Sequence, residues 1–395
     1  MTEADASERD AAWLRSFRRR VVAWYAKQGR DLPFRRTRDP YRIWVSEVML
    51  QQTTVAAVVP YYERFLARFP TIAALAEAPE HEVLRLWEGL GYYRRARNMH
   101  AAAKLVVTEQ GGEFPRTAAE IMSLKGIGRY TAGAIASFAF DEPAPIVEAN
   151  TLRLYCRLLA YRGDPRSTAG QRRLWQFAAS IMPRKAAGRF NHALMDLGAT
   201  ICTPKSPKCE TCPVRQNCHA FSENLQDVVP LPKARPAVTD VMEAYLVVRR
   251  GGDVLVRRRE TGERWAGLWD FPRYELPSHL AAECPAVAEL HQDRKRLPLG
   301  NGTPSQVTHY LRVQLRKQTS LDAAIGEAFA EIRHGVTRFR IRVVCFEARF
   351  KSGALTCEES LRWVSLSDLE SLALSRSGRR LADSLTRRGT PVRES

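Results

Sequence analysis

The chain of 395 residues carries 61 lysine and arginine residues against 43 aspartate and glutamate residues, a formal net charge of +18, and 45% of its residues are hydrophobic. These values indicate a folded protein of two or three domains and favour a polyanionic partner, nucleic acid before an anionic membrane. The sequence has no run of 18 apolar residues and starts with the polar MTEADASERD, so we expect neither a membrane span nor a targeting peptide.

The first half of the chain has the periodicity of helices. Apolar residues recur at three- and four-residue intervals in AAWLRSFRRRVVAWYAKQG, in YRIWVSEVMLQQTTVAAVVPYYERFLARF and in ARNMHAAAKLVVTEQGG. We therefore predict a helical domain over residues 1–221. An interdomain linker is predicted over 222–240, because SENLQDVVPLPKARPAVTD contains three prolines and no helical period.

After the linker the pattern changes to short alternating runs. EAYLVVRR, DVLVRRR, HYLRVQLR and RFRIRVVCFEARF predict strands, and helices are expected near 321–330 and 367–373. We predict an α+β domain over 241–375, followed by a weakly ordered tail over 376–395. The predicted fold class is thus multidomain, an all-α domain followed by an α+β domain.

Four of the eight cysteines fall within 17 residues, with the spacing C-x6-C-x2-C-x5-C, and the other four are scattered. This distribution does not suggest a secreted disulfide framework and fits a reducing cytosol. Four clustered thiolates hold either zinc or a 4Fe–4S cluster, and the compact single loop favours the cluster, in a role that shapes a basic loop. The predicted ligands are Cys202, Cys209, Cys212 and Cys218.

A glycine hairpin is predicted in SLKGIGRYTAGAI, residues 123–135. Gly126 and Gly128 permit a tight turn between two helices, and Arg129 follows at the start of the second helix. Backbone N–H groups in such a turn approach a phosphate closely. The pattern predicts a helix–hairpin–helix element, which binds the DNA backbone without reading its sequence.

Two glutamates are candidates for chemistry. Glu47 lies within the apolar helical run IWVSEVML, where burial raises the pKa of a carboxyl group. Glu148, in PIVEANTLRLYC, precedes a predicted helix that Asn150 could cap. Two readings of Glu148 remain open from the sequence pattern: it caps the helix, or its carboxylate is held for chemistry.

Several longer segments resemble the helix–hairpin–helix DNA glycosylases that carry an iron–sulfur loop, and specifically the adenine DNA glycosylases of the MutY type. They are GRDLPFRRTRDPYRIWVSEVMLQQTTV (29–55), LWEGLGYYRRARNMHAAA (86–103) and RRRETGERWAGLWDFPRYE. The resemblance covers about residues 10–350. It implies a helix–hairpin–helix glycosylase domain with a 4Fe–4S cluster, followed by a Nudix-like domain.

The resemblance also assigns catalytic roles. Glu47 corresponds to the acid that protonates adenine N7, and Glu148 corresponds to an aspartate that stabilises the oxocarbenium ion. A pair of carboxyl groups with these roles is typical of glycoside cleavage. Asn150 corresponds to an asparagine that holds that site. Tyr130 stands where relatives that also cut the strand carry a lysine, so the enzyme is expected to be monofunctional.

Contacts to the base and to DNA follow from the same resemblance. Gln52 and Tyr92 match wedge residues that fill the gap left by a flipped base. Arg30 and Arg35 match residues of the base pocket, and His192 replaces a Gln or Glu that contacts the base. For the cluster of Arg94, Arg95 and Arg97, phosphate contacts and a solvated basic face both remain open.

The C-terminal domain lacks the acidic signature with which Nudix enzymes bind metal, so the resemblance implies a module that recognises 8-oxoguanine. The family's recognition loop corresponds here to HGVTRF, residues 334–339. His334 is retained, Thr337 keeps a hydroxyl group in place of serine, and Arg338 replaces a histidine. A simple strand entry is the alternative reading of this loop.

The predicted function is hydrolysis of the N-glycosidic bond of adenine mispaired with 8-oxoguanine or guanine in duplex DNA. We expect a monomer in the bacterial cytoplasm or nucleoid with no membrane association. The alternatives are a glycosylase that removes mismatched thymine or uracil, and a mismatch-binding protein whose catalysis is impaired because Glu148 replaces aspartate.

Overall fold

The computed structural model describes residues 3–232, 237–284, 305–336, 338–355, 357 and 359–389. The chain forms two compact units. One comprises Met1–Ala78 and Arg94–Ala234, and the other Pro79–Tyr93 and Arg235–Ser395. The change of unit at 234/235 falls within the predicted linker, whereas 79–93 had been predicted as part of the helical domain.

The first unit is helical and contains α1 to α12 except α5, which belongs to the second unit. In the described residues, no helix is both long and apolar enough to cross a membrane. The helices are α1 (Glu3–Gln28), α2 (Pro40–Leu50), α3 (Val55–Arg68), α4 (Ile72–Glu77), α5 (Glu80–Leu86), α6 (Arg94–Glu109), α7 (Ala118–Ser123), α8 (Arg129–Phe140), α9 (Ala149–Leu158), α10 (Thr168–Ser180), α11 (Ala187–Thr200) and α12 (His219–Ser222).

Local sequence explains where these helices start. Asp39 caps α2 by accepting hydrogen bonds from the first backbone N–H groups, ahead of Pro40 at the first helical position. Thr117 and Glu120 form a reciprocal capping box at α7. One core of this unit lies where α1, α9, α10 and α11 meet, and it is built from large apolar side chains such as Phe17, Tyr155, Leu174, Phe190 and Leu197.

The second unit is built on one mixed, seven-stranded sheet. Its main path has the order β3-β2-β1-β6-β5, with β4 paired to β1 and β7 paired to β2. β1 and β6 are parallel, and the other pairs are antiparallel. The strands are β1 (Thr239–Arg250), β2 (Asp253–Arg258), β3 (Trp269–Asp270), β4 (Arg273–Glu275), β5 (Asp322–Val336), β6 (Phe339–Ser352) and β7 (Leu361–Ser365).

Helices cover both faces of this sheet. Along β1, Tyr245 and Val247 point into the core beneath α15 (Arg376–Gly389), while Leu246 and Val248 point into the core beneath α13 (Ser278–Glu283) and α14 (Ser305–Thr319). This alternation is the period of two expected of a strand buried on both faces. The predicted α+β character is therefore confirmed as a three-layer arrangement.

Two predicted elements of the second unit were wrong. HYLRVQLR was predicted as a strand but lies within α14, where Val307, Leu311 and Leu315 are buried at four-residue intervals. The helix expected near 321–330 is instead the start of β5. Its alanines suggested a helix, but pairing with β6 overrides that weak preference.

The predicted weakly ordered tail was also wrong for residues 376–389. This segment is α15, and its residues Leu381, Ala382 and Leu385 are fully or almost fully buried against the sheet. Apolar residues at such a spacing between arginines form an amphipathic helix that needs a partner surface to be stable. Residues 390–395 lie outside the described residues.

Candidate active site

Seven of the predicted pocket residues line one cavity of about 250 Å³ in the helical unit. The chain brings them from α2, α8, α9, α11 and the loop before α2, and Phe34 forms part of the wall. The seven are Arg30, Arg35, Glu47, Tyr130, Glu148, Asn150 and His192.

Glu47 is the buried acid of this cavity. It lies on α2 among buried apolar residues, and only 4% of its surface is exposed. The net pKa of Glu47 is raised to about 7, and burial is the largest cause of the rise. A hydrogen bond of 2.7 Å from the Tyr130 hydroxyl group and the charge of Arg35 lower the pKa, whereas the charge of Glu148 raises it further. A carboxyl group with this pKa holds a proton near neutrality and can donate it.

Glu148 caps helix α9 through both of its carboxylate oxygens. Oε2 accepts from the Asn150 backbone N–H and Oε1 from the Thr151 N–H, each at 2.9 Å. The expectation that Asn150 caps this helix was wrong, because Asn150 lies inside it. Burial raises the pKa of Glu148 while the backbone hydrogen bonds lower it, with a net rise. A fixed carboxylate at this wall of the cavity can stabilise a positive charge formed beside it.

Asp196 organises the two arginines of the pocket, and the sequence did not reveal it. Its carboxylate is fully buried and accepts hydrogen bonds from the Arg30 backbone and Nε and from Arg35 Nη1 and Nη2, at 2.7 to 2.9 Å. Burial by itself raises the pKa of Asp196, but the arginine contacts outweigh it and lower the pKa. An aspartate within the apolar run ALMDLGA was the available signal.

His192 is stacked on Phe138, with ring centroids 3.9 Å apart and an angle of 24° between the rings. Burial and the charge of Arg35 lower its pKa to about 3, although Asp196 opposes this shift. The imidazole is therefore neutral at physiological pH. A neutral imidazole offers one donor and one acceptor to a polar ligand.

Arg153 connects Asn150 to the cysteine loop. Its Nη2 donates to Asn150 Oδ1 at 3.0 Å and to the Gly198 carbonyl at 2.6 Å, and its Nε donates to the Cys202 carbonyl at 2.7 Å. Gly198 lets α11 approach α9 closely, because a Cβ atom there would lie 2.8 Å from Asn150 Cβ. The start of α9 is thus held by groups far away in the sequence.

The four clustered cysteines line one small cavity together with Val214 and Phe221. None of these four cysteines is in a disulfide bond. A set of four thiols around one cavity suits an iron–sulfur cluster, which the cysteines bind as thiolates.

Arg157 supplies positive charge beside this cysteine cavity. Its Nη1 donates to Cys202 Sγ at 3.3 Å and to the Thr203 carbonyl at 2.7 Å. Its own carbonyl accepts a contact of 3.4 Å from Cys218 Sγ. A buried guanidinium group at this distance stabilises a thiolate and anchors the loop.

The predicted hairpin lies between α7 and α8. Gly126 has a φ of +84°, a left-handed conformation, and a Cβ atom there would lie 2.6 Å from Asn98 Cβ. Gly128 is the N-cap of α8, and the guanidinium group of Arg129 lies 3.9 Å from the Trp175 ring centroid. The exposed backbone at this helix start is suited to bind a phosphate. Gln52 is exposed in another turn, with a φ of +59°.

The remaining predicted residues belong to the second unit. Tyr92 is 48% exposed, with a φ of +48°. His334 lies at the end of β5, 5.8 Å from the Trp265 ring, with its Nε2 3.5 Å from Arg273 Nη2. Burial and the surrounding arginines lower its pKa to about 4. Arg338 is exposed, with its guanidinium group over Phe339, and Thr337 lies outside the described residues.

Three family models match the chain. They describe an HhH-GPD superfamily base excision DNA repair protein over residues 45–180, an iron–sulfur binding domain of endonuclease III over 202–218, and a NUDIX domain over 244–384. These matches confirm the predicted order of a helix–hairpin–helix domain, an iron–sulfur loop and a Nudix-like domain. The prediction of a 4Fe–4S cluster rather than zinc is also confirmed.

Curated relatives are named adenine DNA glycosylases. That of Buchnera aphidicola subsp. Schizaphis graminum (strain Sg) is 36% identical over 260 residues, 66% of this chain and 75% of that protein. That of Rattus norvegicus is 44% identical over 250 residues, 61% of this chain and 48% of that protein. The chain spans about half the length of the mammalian relatives that it matches.

A solved structure described as a thermostable thymine-DNA glycosylase is also similar. It is 30% identical, has a TM-score of 0.50, and covers 54% of this chain and 98% of its own.

Proposed function

The chain belongs to the adenine DNA glycosylase family, and on that premise we propose that it hydrolyses the N-glycosidic bond of adenine mispaired with 8-oxoguanine or guanine in duplex DNA. The observation that carries this proposal is the buried Glu47, which has a pKa of about 7 and shares one cavity with Glu148. Adenine is a poor leaving group unless it is protonated, and these two carboxyl groups supply a proton and a stabilising negative charge.

Glu47 acts as the general acid in this proposal. Its proton goes to N7 of the adenine as the bond between the base and the sugar breaks, so that the base leaves neutral. The Tyr130 hydroxyl group, 2.7 Å from Glu47 Oε2, orients the carboxyl group and stabilises the carboxylate that remains. That carboxylate then accepts a proton from the attacking water.

Glu148 stabilises the positive charge that develops on the sugar. Its carboxylate is fixed before the reaction by two backbone N–H groups, so no reorganisation is needed when the charge appears. Asn150 is held through Arg153 on the same helical turn. Because both oxygens of Glu148 are engaged with the backbone, we assign it electrostatic stabilisation rather than proton transfer.

Duplex DNA is proposed to bind through its backbone at the hairpin of Gly126 and Gly128, with Tyr92 filling the gap left by the flipped adenine. The arginine excess of the chain supports this partner. Tyr130 occupies the position of a lyase lysine and its hydroxyl group is bonded to Glu47, so no Schiff base with the abasic sugar is expected there.

An excision assay tests the proposal. Purified protein is incubated with duplexes that contain A:8-oxoG, A:G, T:G or U:G, and strand cleavage is measured with and without hot alkali. We expect alkali-dependent cleavage at adenine only, with A:8-oxoG first. Binding of A:8-oxoG without release of adenine would refute the catalytic assignment, and cleavage without alkali would refute monofunctionality.

Excision of thymine from T:G mispairs is the second candidate function. The likeness to a solved thymine-DNA glycosylase, over almost the whole of that chain, favours it. Glu47 argues against it, because an acid placed to protonate a purine N7 has no equivalent target in a pyrimidine. The T:G arm of the same assay decides between the two.

A further inference from the structure

The short segment Pro79–Tyr93, which contains the proposed wedge Tyr92, belongs to the second unit, whose larger part, Arg235–Ser395, makes it the C-terminal unit of the chain. Pro79–Tyr93 clusters with Arg235–Ser395, although the chain before it, ending at Ala78, and the chain after it, from Arg94, belong to the helical unit. The polypeptide therefore enters the C-terminal unit twice. The first of these two segments is only fifteen residues long.

The carboxylate of Glu88 is the centre of this attachment. Its Oε1 accepts a hydrogen bond from Arg379 Nε at 2.6 Å, and its Oε2 accepts from Arg379 Nη2 at 3.1 Å and from the Leu374 backbone N–H at 3.2 Å. Only 9% of the Glu88 side chain and 17% of the Arg379 side chain are exposed. A bidentate pair shielded from solvent is stronger and more directional than an exposed one.

Arg379 is itself held rigidly on α15. Its Nη1 donates to the Leu369 carbonyl at 3.0 Å and its Nη2 to the Leu372 carbonyl at 2.6 Å. A second contact runs parallel to the ion pair, from Arg85 Nε to the Glu370 carbonyl at 2.8 Å. Because its donors are shared between Glu88 and these fixed carbonyls, Arg379 sets the position of Glu88 rather than following it.

The chain between Glu88 and Tyr92 is a tight turn. Gly89, Gly91 and Tyr92 all have positive φ angles, of 99°, 70° and 48°. The Trp87 indole N–H donates to the Gly91 carbonyl at 3.1 Å, which closes the turn on itself. This bond constrains the backbone between Trp87 and Gly91, so the position of Glu88 influences the path of the chain that leads to Tyr92.

We propose that Arg379 is a positioning residue, which clamps Glu88 and thereby lets the C-terminal unit orient the Tyr92 wedge. This inference rests on the proposed function, in which Tyr92 fills the gap left by the flipped adenine. It gives α15 a role in excision that does not require any contact between α15 and the DNA. Arg379 then acts on the reaction only through Tyr92.

A double-mutant cycle tests this dependence. Single-turnover release of adenine from A:8-oxoG is measured for the wild type, Arg379→Gln, Tyr92→Ala and the double variant. We expect Arg379→Gln to slow release by about 10- to 100-fold, the scale of a misplaced substrate-positioning group. In the Tyr92→Ala background the same substitution is expected to change the rate less than twofold, because there is no wedge left to orient.

Controls separate positioning from a general loss of structure. Arg387 is an exposed residue of the same helix, and its Nε donates to the Asp383 carbonyl of that helix, so Arg387→Gln should keep the wild-type rate. Glu88→Gln retains the shape of the side chain and tests the pair from the other side, so its rate should follow that of Arg379→Gln. Thermal melting checks that each variant is folded.

The outcomes are distinct. Effects of Arg379→Gln and Tyr92→Ala that multiply in the double variant would overturn the inference, as would a wild-type rate for both Arg379→Gln and Glu88→Gln. Failure of the wild-type protein to release adenine at all would instead refute the proposed function.

Discussion

The hydroxyl group of Tyr130 donates a hydrogen bond of 2.7 Å to Oε2 of Glu47, the buried carboxyl group whose pKa is raised to about 7. This contact lowers the pKa of Glu47, against burial, which is the largest cause and raises it. If Glu47 must be protonated to act, excision falls as the pH rises through 7.

Tyr130→Phe is therefore expected to move the alkaline limb of the excision profile to higher pH, because it removes the bond that favours the carboxylate. The measurement is the single-turnover rate from pH 5.5 to 9. Tyr41→Phe is the matched control, since the Tyr41 hydroxyl group donates to the Phe69 carbonyl and lies outside the cavity. A limb that moves to lower pH in Tyr130→Phe would contradict the assignment.

Glu47→Gln is expected to reduce adenine release by about 1000-fold, within the usual range for removal of a general acid, while binding of A:8-oxoG duplex is retained. Single-turnover kinetics and a gel-shift titration measure the two quantities. Equal losses of binding and release would indicate a damaged fold rather than a missing proton donor.

The same variant should be more stable than the wild type at pH 8. Glu47 has a pKa of about 7 in the folded chain against 4.5 for the unfolded group, so the wild type loses stability as the pH rises from 4.5 to 7. Glutamine does not titrate, and the gain is expected to be on the order of 3 kcal/mol at pH 8. Urea unfolding at pH 8 and at pH 5 checks this, and the difference should narrow at the lower pH.

Glu148→Asp should keep adenine release within about tenfold of the wild type, whereas Glu148→Gln should lose it by about a hundredfold or more. The Glu148 side chain folds back onto the N–H groups of Asn150 and Thr151, so its carboxylate lies where a shorter N-cap aspartate would place its own. Release rates are compared after both variants are shown to melt within a few degrees of the wild type. A strongly impaired Glu148→Asp would show that the added methylene group is needed here.

The sequence predicted best those features that depend on local pattern. Glu47 was identifiable because a carboxyl group inside an apolar helical run must be buried, and the four cysteines because their spacing is short. Asp196 was not, because its partners Arg30 and Arg35 are more than 160 residues away in the chain. Its burial depends on a contact between α11 and the segment before α2 that no local pattern specifies.

The same distinction explains the errors in the fold. α14 carries alternating apolar residues that also satisfy a helical spacing, and only its packing against the sheet decides between them. The arginine-rich sequence of α15 does not predict an ordered helix by itself, because the helix is stabilised by packing its apolar residues against the sheet. Likewise, the segment 79–93 contacts residues of the second unit that lie far away in the sequence, such as Arg379, 291 residues after Glu88.

Asp196→Asn tests the arrangement around the two arginines. The substitution removes the buried carboxylate that Arg30 and Arg35 share, and we expect a loss of about 3 to 5 kcal/mol in the free energy of unfolding at pH 7. Because the folded pKa of Asp196 is lowered, its contribution is complete above about 3.8 and is lost as the pH falls through the lower folded value. The difference between variant and wild type should thus be constant from pH 7 to pH 5 and shrink below pH 3.8. A difference that already vanishes at pH 5 would contradict the direction of the shift.

Arg157→Gln is expected to weaken retention of the iron–sulfur cluster without touching the cavity of Glu47, whose lining does not include Arg157. The guanidinium group donates to Cys202 Sγ and also to carbonyls of the loop, so its loss removes both a positive charge beside the thiolate and a tether of the loop. Removal of such an outer contact commonly costs about 10- to 100-fold in metal affinity. Iron content and visible absorbance during dialysis against a chelator measure the rate of cluster loss.

Arg162→Gln is the control, because Arg162 is an exposed residue that pairs with Glu223. If the cluster is lost from Arg157→Gln no faster than from Arg162→Gln, Arg157 serves only to pack the loop, and the sulfur contact does not stabilise the bound thiolate.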